Sequence, residues 1–366
     1  MEQTTSCVHF LAFVLLVFAS SAYPFTYNVL SYGAKPDGNF ESTRAFVAAW
    51  TLACGSIKSA TIYIPTGRFL LRNVVFRGQC KNNAIVFRMD GTLVAPSDYK
   101  VLGSTENWLL FEHVNGVSIY GGVLDGQGTG LWTCKRVRQG LSQRSNGEFC
   151  VWLLVLVNES SASAPVVIDG CNNVKGDSVS VSASGNSPNT DGIHVQSSSS
   201  VTILNSRIGT GDDCVSVGPG TNNLCIENMA CGPGHGISIG SLGKEAEEPG
   251  VQNVTVKTIT LTGTQNGHAI MTDVENPIVI DQHYCPDEKN CPGLVSGVKI
   301  SDVTYQDIHG TSATEVAVKF DCSPSYPCTD IRLEDVKLTY RNKPAEASCS
   351  NADGTVSGFI QPSCCL

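Results

Sequence analysis

From residue 116 onward the chain repeats one short phrase: a polar or glycine turn position, an alternating segment rich in β-branched residues, then Gly or Ser. Copies run from Gly116 to Tyr120, Asn173 to Lys175, Ser200 to Leu204, Asn223 to Ile226, Asn253 to Val256, Gly297 to Ile300 and Asp330 to Leu333. Alternation with a period of two marks a half-buried strand, and its return every twenty-odd residues marks a solenoid. The anchors Val174, Val201, Leu224 and Val254 follow one another at steps between twenty-three and thirty positions, and the much longer interval to Val298 leaves room for another coil around Asn276-Pro-Ile-Val-Ile280. Stacked coils of this kind predict an all-β parallel β-helix. The main helical exception is Glu41 to Cys54, where Ser42 and Thr43 could cap a run with Ala45, Phe46, Ala48, Ala49 and Leu52 at helical spacing. A helix there would cover the open first coil, whose strand edges and apolar interior need a cap.

No linker rich in Pro, Gly or Ser divides the 366 residues, so a single domain is expected from residue 23 to 366. Ahead of it, Cys7 to Phe18 is apolar without Arg or Lys and Ser20-Ser21-Ala22 precedes Tyr23, which predicts a secretory signal over residues 1–22. That stretch is too short to span a bilayer comfortably, so no stable membrane insertion is expected. Sixteen cysteines suit an oxidising compartment, and removal of Cys7 leaves fifteen, so one must lack an intrachain partner. Cys285–Cys291, Cys322–Cys328 and Cys349 with Cys364 or Cys365 are plausible loop staples, while no clustered Cys or His set has zinc spacing. Sequons at Asn158 and Asn253 agree with secretion. The net charge of −9 argues against nucleic acid as a partner, though it leaves open a polyanion held by a few focused cations.

Asp191, Asp213 and His235 recur at a constant interval, inside Asn189-Thr190-Asp191-Gly192, Gly211-Asp212-Asp213-Cys214 and Gly234-His235-Gly236. On successive coils such residues form a polar column with the inter-strand spacing of roughly 4.8 Å. Each motif alone also reads as a turn, since Asn, Asp and Gly favour turns. A turn, however, does not require stacked Asp, Asp and His. Three carboxylates and an imidazole on neighbouring rungs suit hydrolysis of a glycosidic bond, in which one carboxylic acid protonates the departing oxygen while carboxylate activates water. Crowded like charges raise the pKa of one member, which lets an Asp keep its proton long enough to act as an acid.

In this order the motifs resemble three of the four signature motifs of polygalacturonases, the family 28 glycoside hydrolases that cut pectin. The likeness extends from Tyr27-Asn-Val-Leu-Ser-Tyr-Gly-Ala34 to the cysteine-rich C-terminus and is strongest to plant secreted members. It implies a single-stranded right-handed parallel β-helix and inverting hydrolysis of α-1,4-linked galacturonan in the cell wall, with polygalacturonate as partner, no cofactor and no metal, in a chain expected to be monomeric. By motif, Asp212 would be the general acid, Asp191 and Asp213 would position the attacking water, and His235 would maintain the protonation of the cluster. Asn189 and Tyr284, in Ile280-Asp-Gln-His-Tyr284, would contact substrate; Tyr284 reads equally well as a half-buried aromatic.

The fourth motif is where the chain departs. Members of the family carry Arg-Ile-Lys shortly after a turn of the Thr-Gln-Asn-Gly type, and the two cations grip the substrate carboxylate. Here Thr264-Gln265-Asn266-Gly267 runs into His268-Ala269-Ile270-Met271, and no Arg or Lys lies between Lys257 and Lys289. Without a gap, Ala269 and Met271 would occupy the cationic positions. The better explanation is that a stretch about one coil long is absent, since Ala269 to Pro277 resembles the segment one coil further on. Lys257 lies one further interval beyond His235, but the insertion from Ser241 to Gly250 breaks that register and assigns Lys257 to an outer strand. Residues 135–165 depart too, and Lys135, Arg136, Arg138 and Arg144 read as solvated loop, with a replacement substrate patch as the alternative. The expected function is therefore an impaired polygalacturonase. The rivals are a non-catalytic pectin-binding or wall-structural protein and a calcium-dependent pectate lyase-like enzyme.

Overall fold

The computed structural model describes residues 24–97, 101, 107–127, 164–187, 189–244, 247–267, 270–284, 298–363 and 365–366. The proposed signal, Asn158, Cys285, Cys291, Cys364, His268, Ala269 and the basic residues 135–144 lie outside them. Nearly every described element is a strand, and almost all ladders are parallel: one sheet has seventeen strands, a second has six and a third has three.

The repeated phrase has a backbone cause. Its opening residues Gly116, Asn173, Ser200, Asn223, Asn253 and Asp330 all take left-handed φ values, from +52° to +72°. Gly, Asn and Asp tolerate that region best, so each phrase starts where the chain turns a corner. The register then joins Val117, Val174, Val201, Leu224 and Val254 as neighbours on consecutive strands, with the steps expected from the sequence. Six phrases lie on the long sheet. The seventh differs: residues 298–300 are outside any strand, and Thr304–Ser312 takes the next place in the ladder. A second corner is turned by Asn205 and Asn228, φ +50° and +56°, whose side chains form a ladder, with Asn228 donating to Asn205 at 2.6 Å and Asn205 to Asp177 at 2.9 Å.

Helix α1, Thr43–Gly55, closes the first coil. Ala45, Phe46, Ala49, Trp50 and Ala53 are its buried face, whereas Leu52 is 45 % exposed, so the apolar stripe is rotated from the expected one. Trp50 pulls the helix round, because its ring packs edge-on against Phe76 at 5.4 Å and stacks on Phe87 at 5.8 Å. Ser42 is the N-cap residue but makes no capping bond; its hydroxyl donates to the Phe40 carbonyl and accepts from the Lys35 N–H.

One rung is short. In the other parallel ladders partners on neighbouring strands lie at least a full coil apart in sequence, as Ile193 does from Val215 and Leu224 from Val254. Thr260, Leu261 and Thr262 instead pair with Ile270, Met271 and Thr272, a step of ten. So short a connection cannot traverse all the walls that a full coil traverses. Accordingly the six-stranded wall ends at Gly236–Ile239, and the same face resumes as a separate three-stranded sheet at Ile278–Asp281. The register thus agrees with an absent coil at Gly267. Met271, 3 % exposed and paired in the long sheet, faces the core and cannot stand in for a cation.

Four disulfides are described. Cys322–Cys328 and Cys349–Cys365 are two of the staples expected, and Cys54–Cys80 and Cys214–Cys231 are two further bridges. Cys171 is a buried free thiol, and burial pushes its pKa up. No described helix is long and apolar enough to cross a membrane.

Phe76 lies 2 % exposed with ring centroids of both Phe87 and Phe111 at 5.0 Å. Phe76→Ala is expected to cost about 3–5 kcal/mol in urea unfolding, while Leu52→Ala, on the exposed side of α1, costs less than about 1 kcal/mol.

Candidate active site

The six-stranded wall carries the carboxylates. Gly192 N–H donates to the Asp213 carbonyl at 2.7 Å, and Ile193 pairs with Val215, which places Asp191 one rung from Asp213. The next step differs from the uniform column that the spacing predicts. A register shift between Asp213 and Val215 sets Asp213 opposite Gly236, so His235 faces Asp212 instead. The His235 N–H donates to the Asp212 carbonyl at 2.6 Å, and its Nδ1 lies 3.0 Å from Asp212 Oδ1. The doublet Asp212-Asp213 therefore presents one carboxylate to the imidazole and the other to the wall.

Each carboxylate has its own donors. Asp212 Oδ2 accepts from the Asn189 backbone N–H and Oδ1 from that of Asp213, both at 2.9 Å. Asn189 reaches Asp212 because its backbone is left-handed, φ +56°, and its side chain is exposed. The Asp191 and Asp213 carboxylates accept from the hydroxyls of Ser216 and Ser238, each at 2.6 Å. Thr210 donates to the Thr190 carbonyl, tying the two acidic turns together. Gly211 permits that approach, since a Cβ there would sit 2.4 Å from the Ser187 backbone N and O.

Burial pushes the Asp191 carboxyl up to about 6, the Ser216 bond opposes it and the Asp212 charge adds to it. Burial likewise pushes Asp213 up to about 7, with the Asp191 charge reinforcing and Ser238 opposing. The bond to Asp212 raises the His235 pKa and outweighs burial. The cluster accordingly retains protons near neutrality, one part on the carboxylates of the wall and one on the His235–Asp212 pair. Tyr284 is 63 % exposed at the cleft, where burial of its hydroxyl and then the charges of Asp212, Asp213 and Asp191 raise its pKa.

All six residues singled out in the sequence thus belong to one neighbourhood. Lys257 does not, since its strand Gln252–Thr262 runs in the long sheet with Lys257 paired to Glu227. Ser216 and Ser238 were missed, although the signal was present: each lies one coil, and the same distance in sequence, beyond the Asp it serves. Oxygen and nitrogen atoms of Asp212, Asp213 and His235 come within 4.8 Å of one another, a grouping that could also hold a divalent cation. A second such group, Asp281, His283 and Asp321, already has the Lys319 ammonium beside it, 4.0 Å from Asp281 and 3.6 Å from Asp321.

The chain matches the pattern that defines Glycosyl hydrolases family 28 over residues 54–273 and 268–365. It belongs to that family. A polygalacturonase of Prunus persica is 60% identical over 386 aligned positions, covering 97% of each chain, and an exopolygalacturonase of Platanus acerifolia is 36% identical over 370, covering 92% of this chain and 96% of the other. Among solved structures, a polygalacturonase of Erwinia carotovora superposes with a TM-score of 0.59 at 21% identity, covering 94% of this chain and 99% of its own. An endo-xylogalacturonan hydrolase of Aspergillus tubingensis gives 0.63 at 20%, covering 91% and 100%. The fold is thus the right-handed parallel β-helix of this family, capped by α1. The 386 positions aligned with the Prunus persica protein exceed the 366 residues of this family 28 chain, so that relative carries sequence that this chain lacks. The two matched pieces meet at residues 268–273, at the short rung.

An Asp with a raised pKa keeps its proton in the folded state over a range where the unfolded chain has lost it. Stability is then greatest below about pH 4 and declines as pH rises through about 6 and 7, the values of Asp191 and Asp213. Asp213→Asn removes the charge that is hardest to form. It is expected to stabilise the fold at pH 8 by on the order of 2 kcal/mol and to change it little at pH 4, as measured by thermal unfolding at both values.

Proposed function

We propose that this chain hydrolyses α-1,4-linked galacturonan, and that it does so weakly. The observation that supports this reading is the assembly of Asp191, Asp212, Asp213 and His235 on consecutive rungs of one wall. The Asp212–His235 pair would deliver the proton to the departing glycosidic oxygen, with Asp212 in contact with the sugar and His235 returning the proton to it. Asp191 and Asp213 would orient water as joint base, since their mutual repulsion leaves one of them ionised while the other holds a proton. Asn189 and Tyr284 would line the sugar. One carboxylate oxygen of Asp212 lies within 4.8 Å of one of Asp213, an approach closer than the roughly 6.5–9.5 Å between carboxyl groups common where a water fits between acid and base. The anomeric configuration of the first product, β for inversion and α for retention, therefore decides whether the pair acts by water or by covalent attack.

The short rung supports weak turnover. It leaves no described Arg or Lys between Lys257 and Lys299 to hold a substrate carboxylate at the next position along the wall. Two charge-assisted bonds of about 1.5–3 kcal/mol each correspond to about two to four orders of magnitude in rate. The same feature favours a second reading, a pectin-binding wall protein that does not cleave. The setting would be extracellular, in the cell wall, for a single-domain monomer released by a signal over residues 1–22. The disulfides and the absence of a membrane-spanning helix among the described residues accord with that setting.

Incubating the purified chain with polygalacturonate and measuring reducing ends is expected to show turnover at least about 100-fold below that of a clamp-bearing relative, and none with Asp212→Asn. Turnover equal to the relative would refute the impairment. Binding without reducing ends, unchanged by Asp212→Asn, would establish the non-catalytic reading. An EDTA-sensitive reaction giving unsaturated product would instead establish a lyase.

A further inference from the structure

Behind Asp191 lies a buried chain of polar groups that none of the family motifs covers. Ser216 Oγ is 2.6 Å from Asp191 Oδ2, His194 Nδ1 is 2.7 Å from the same Ser216 Oγ, and His194 Nε2 is 3.2 Å from Gln196 Oε1. Ser216 is 3 % exposed, as is Asp191. His194 and Gln196 point outward on one strand, Ile193–Gln196, and Ser216 is the register partner of His194 on the next. The three side chains therefore touch as a consequence of the ladder.

A serine hydroxyl has one hydrogen to give. The 2.6 Å contact is the length of a hydroxyl bonded to an ionised carboxylate. If that hydrogen goes to Asp191, the bond between His194 and Ser216 can be made only by a hydrogen on His194 Nδ1. Burial of His194 lowers its pKa, so the ring is neutral and Nε2 carries a lone pair. The group facing Nε2 must then be a donor; Oε1 of Gln196 stands there, and a half-turn of the side-chain amide, whose two ends are interchangeable by rotation, brings its nitrogen to the same place. Every hydrogen in the chain now points one way, from Gln196 through His194 and Ser216 to Asp191.

We propose that His194, held in its Nδ1–H tautomer by Gln196, fixes the Ser216 hydroxyl on Asp191 and thereby keeps Asp191 ionised as part of the base. His194 and Ser216 are positioning residues, since neither touches the sugar. The reading of Asp191 as base is that of the proposed hydrolase, and the inference rests on it. The opposing groups are also present. The Asp212 charge favours protonation of Asp191, whereas the Asp213 backbone N–H and the His235 charge favour its ionisation. On the other side, Asp169 favours protonation of His194 and Lys244 disfavours it.

Two substitutions separate this role from simple packing. Asn at 194 places an amide nitrogen where Nδ1 stands and can still donate to Ser216; Leu, of similar size, cannot. The apparent pKa of Asp191, followed by carbon-13 NMR of the side-chain carboxyls, is expected to rise by about one pH unit in His194→Leu and in Ser216→Ala, and to stay near its wild-type value in His194→Asn. Nitrogen-15 spectra of the wild-type protein should show His194 neutral with its hydrogen on Nδ1. The acid limb of the rate profile on polygalacturonate should move with the carboxyl titration. A hydrogen on Nε2, a doubly protonated ring, or a carboxyl titration unmoved in His194→Leu would overturn the proposal. Loss of all turnover in the wild-type chain would overturn the hydrolase reading alone, because the NMR titration is measured without turnover.

Discussion

Every functional distance in this protein descends from the parallel backbone ladder, which fixes residues one coil apart in sequence at the spacing of one strand from the next. Two ionised carboxylates at roughly 5 Å repel by on the order of 3 kcal/mol at an effective dielectric constant of about 20. A hydrogen bond to a charged group returns about 1.5–3 kcal/mol. The two terms are of similar size, and the cluster is poised accordingly: Asp191 and Asp213 each receive one hydroxyl, and each sits above the ordinary carboxylate range. Asp212 receives two backbone N–H groups and an imidazole as well. The ladder supplies the crowding, and unequal donors divide the protons.

Much of this was legible in the sequence because the solenoid converts spacing into position. The Val174, Val201, Leu224 and Val254 steps became register partners without correction, since each phrase opens with a residue suited to the left-handed corner. The acidic turns were legible for the same reason. The one-residue shift at Asp213 was not, because a bulge depends on local hydrogen bonding that residue types do not encode, and it changes which Asp meets His235. Nor was the buried face of α1: Leu52 and Trp50 are both apolar, and only the Phe76 and Phe87 rings decide which one turns inward. Ser216, Ser238 and His194 escaped notice because serine in an alternating strand usually means solvent, whereas here the next rung offers a carboxylate.

The short rung shows what a solenoid tolerates. Contacts are largely between neighbouring coils, so removal of one leaves most of the structure unaware of the loss, provided the new neighbours stack. In the long sheet Thr260 to Thr262 find Ile270 to Thr272, and at the turn that holds His235 the Asn266 N–H donates to the His235 carbonyl at 2.9 Å and the Asn276 N–H to the Gln265 carbonyl at 2.7 Å. Beyond that turn the strands of the carboxylate-bearing wall do not pair across the break. Ile239 at its end is 53 % exposed, and the sheet resumes only at Ile278–Asp281. The backbone thus heals along the long sheet and at the turn, while the strands that follow the turn stay in separate sheets.

The Cys214–Cys231 bridge gives that wall a chemical address. Cys214 follows Asp213 directly, and Cys231 lies just ahead of the Gly234-His235-Gly236 turn, so one covalent link ties the end of the acidic doublet to the approach to the imidazole. Chains synthesised where thiols stay reduced would fold the same ladder around an unstapled acidic turn. The compartment through which the polypeptide passes is thus written into the acidic cluster itself, and material made in a reducing cytosol is chemically different there from material that has passed through an oxidising one.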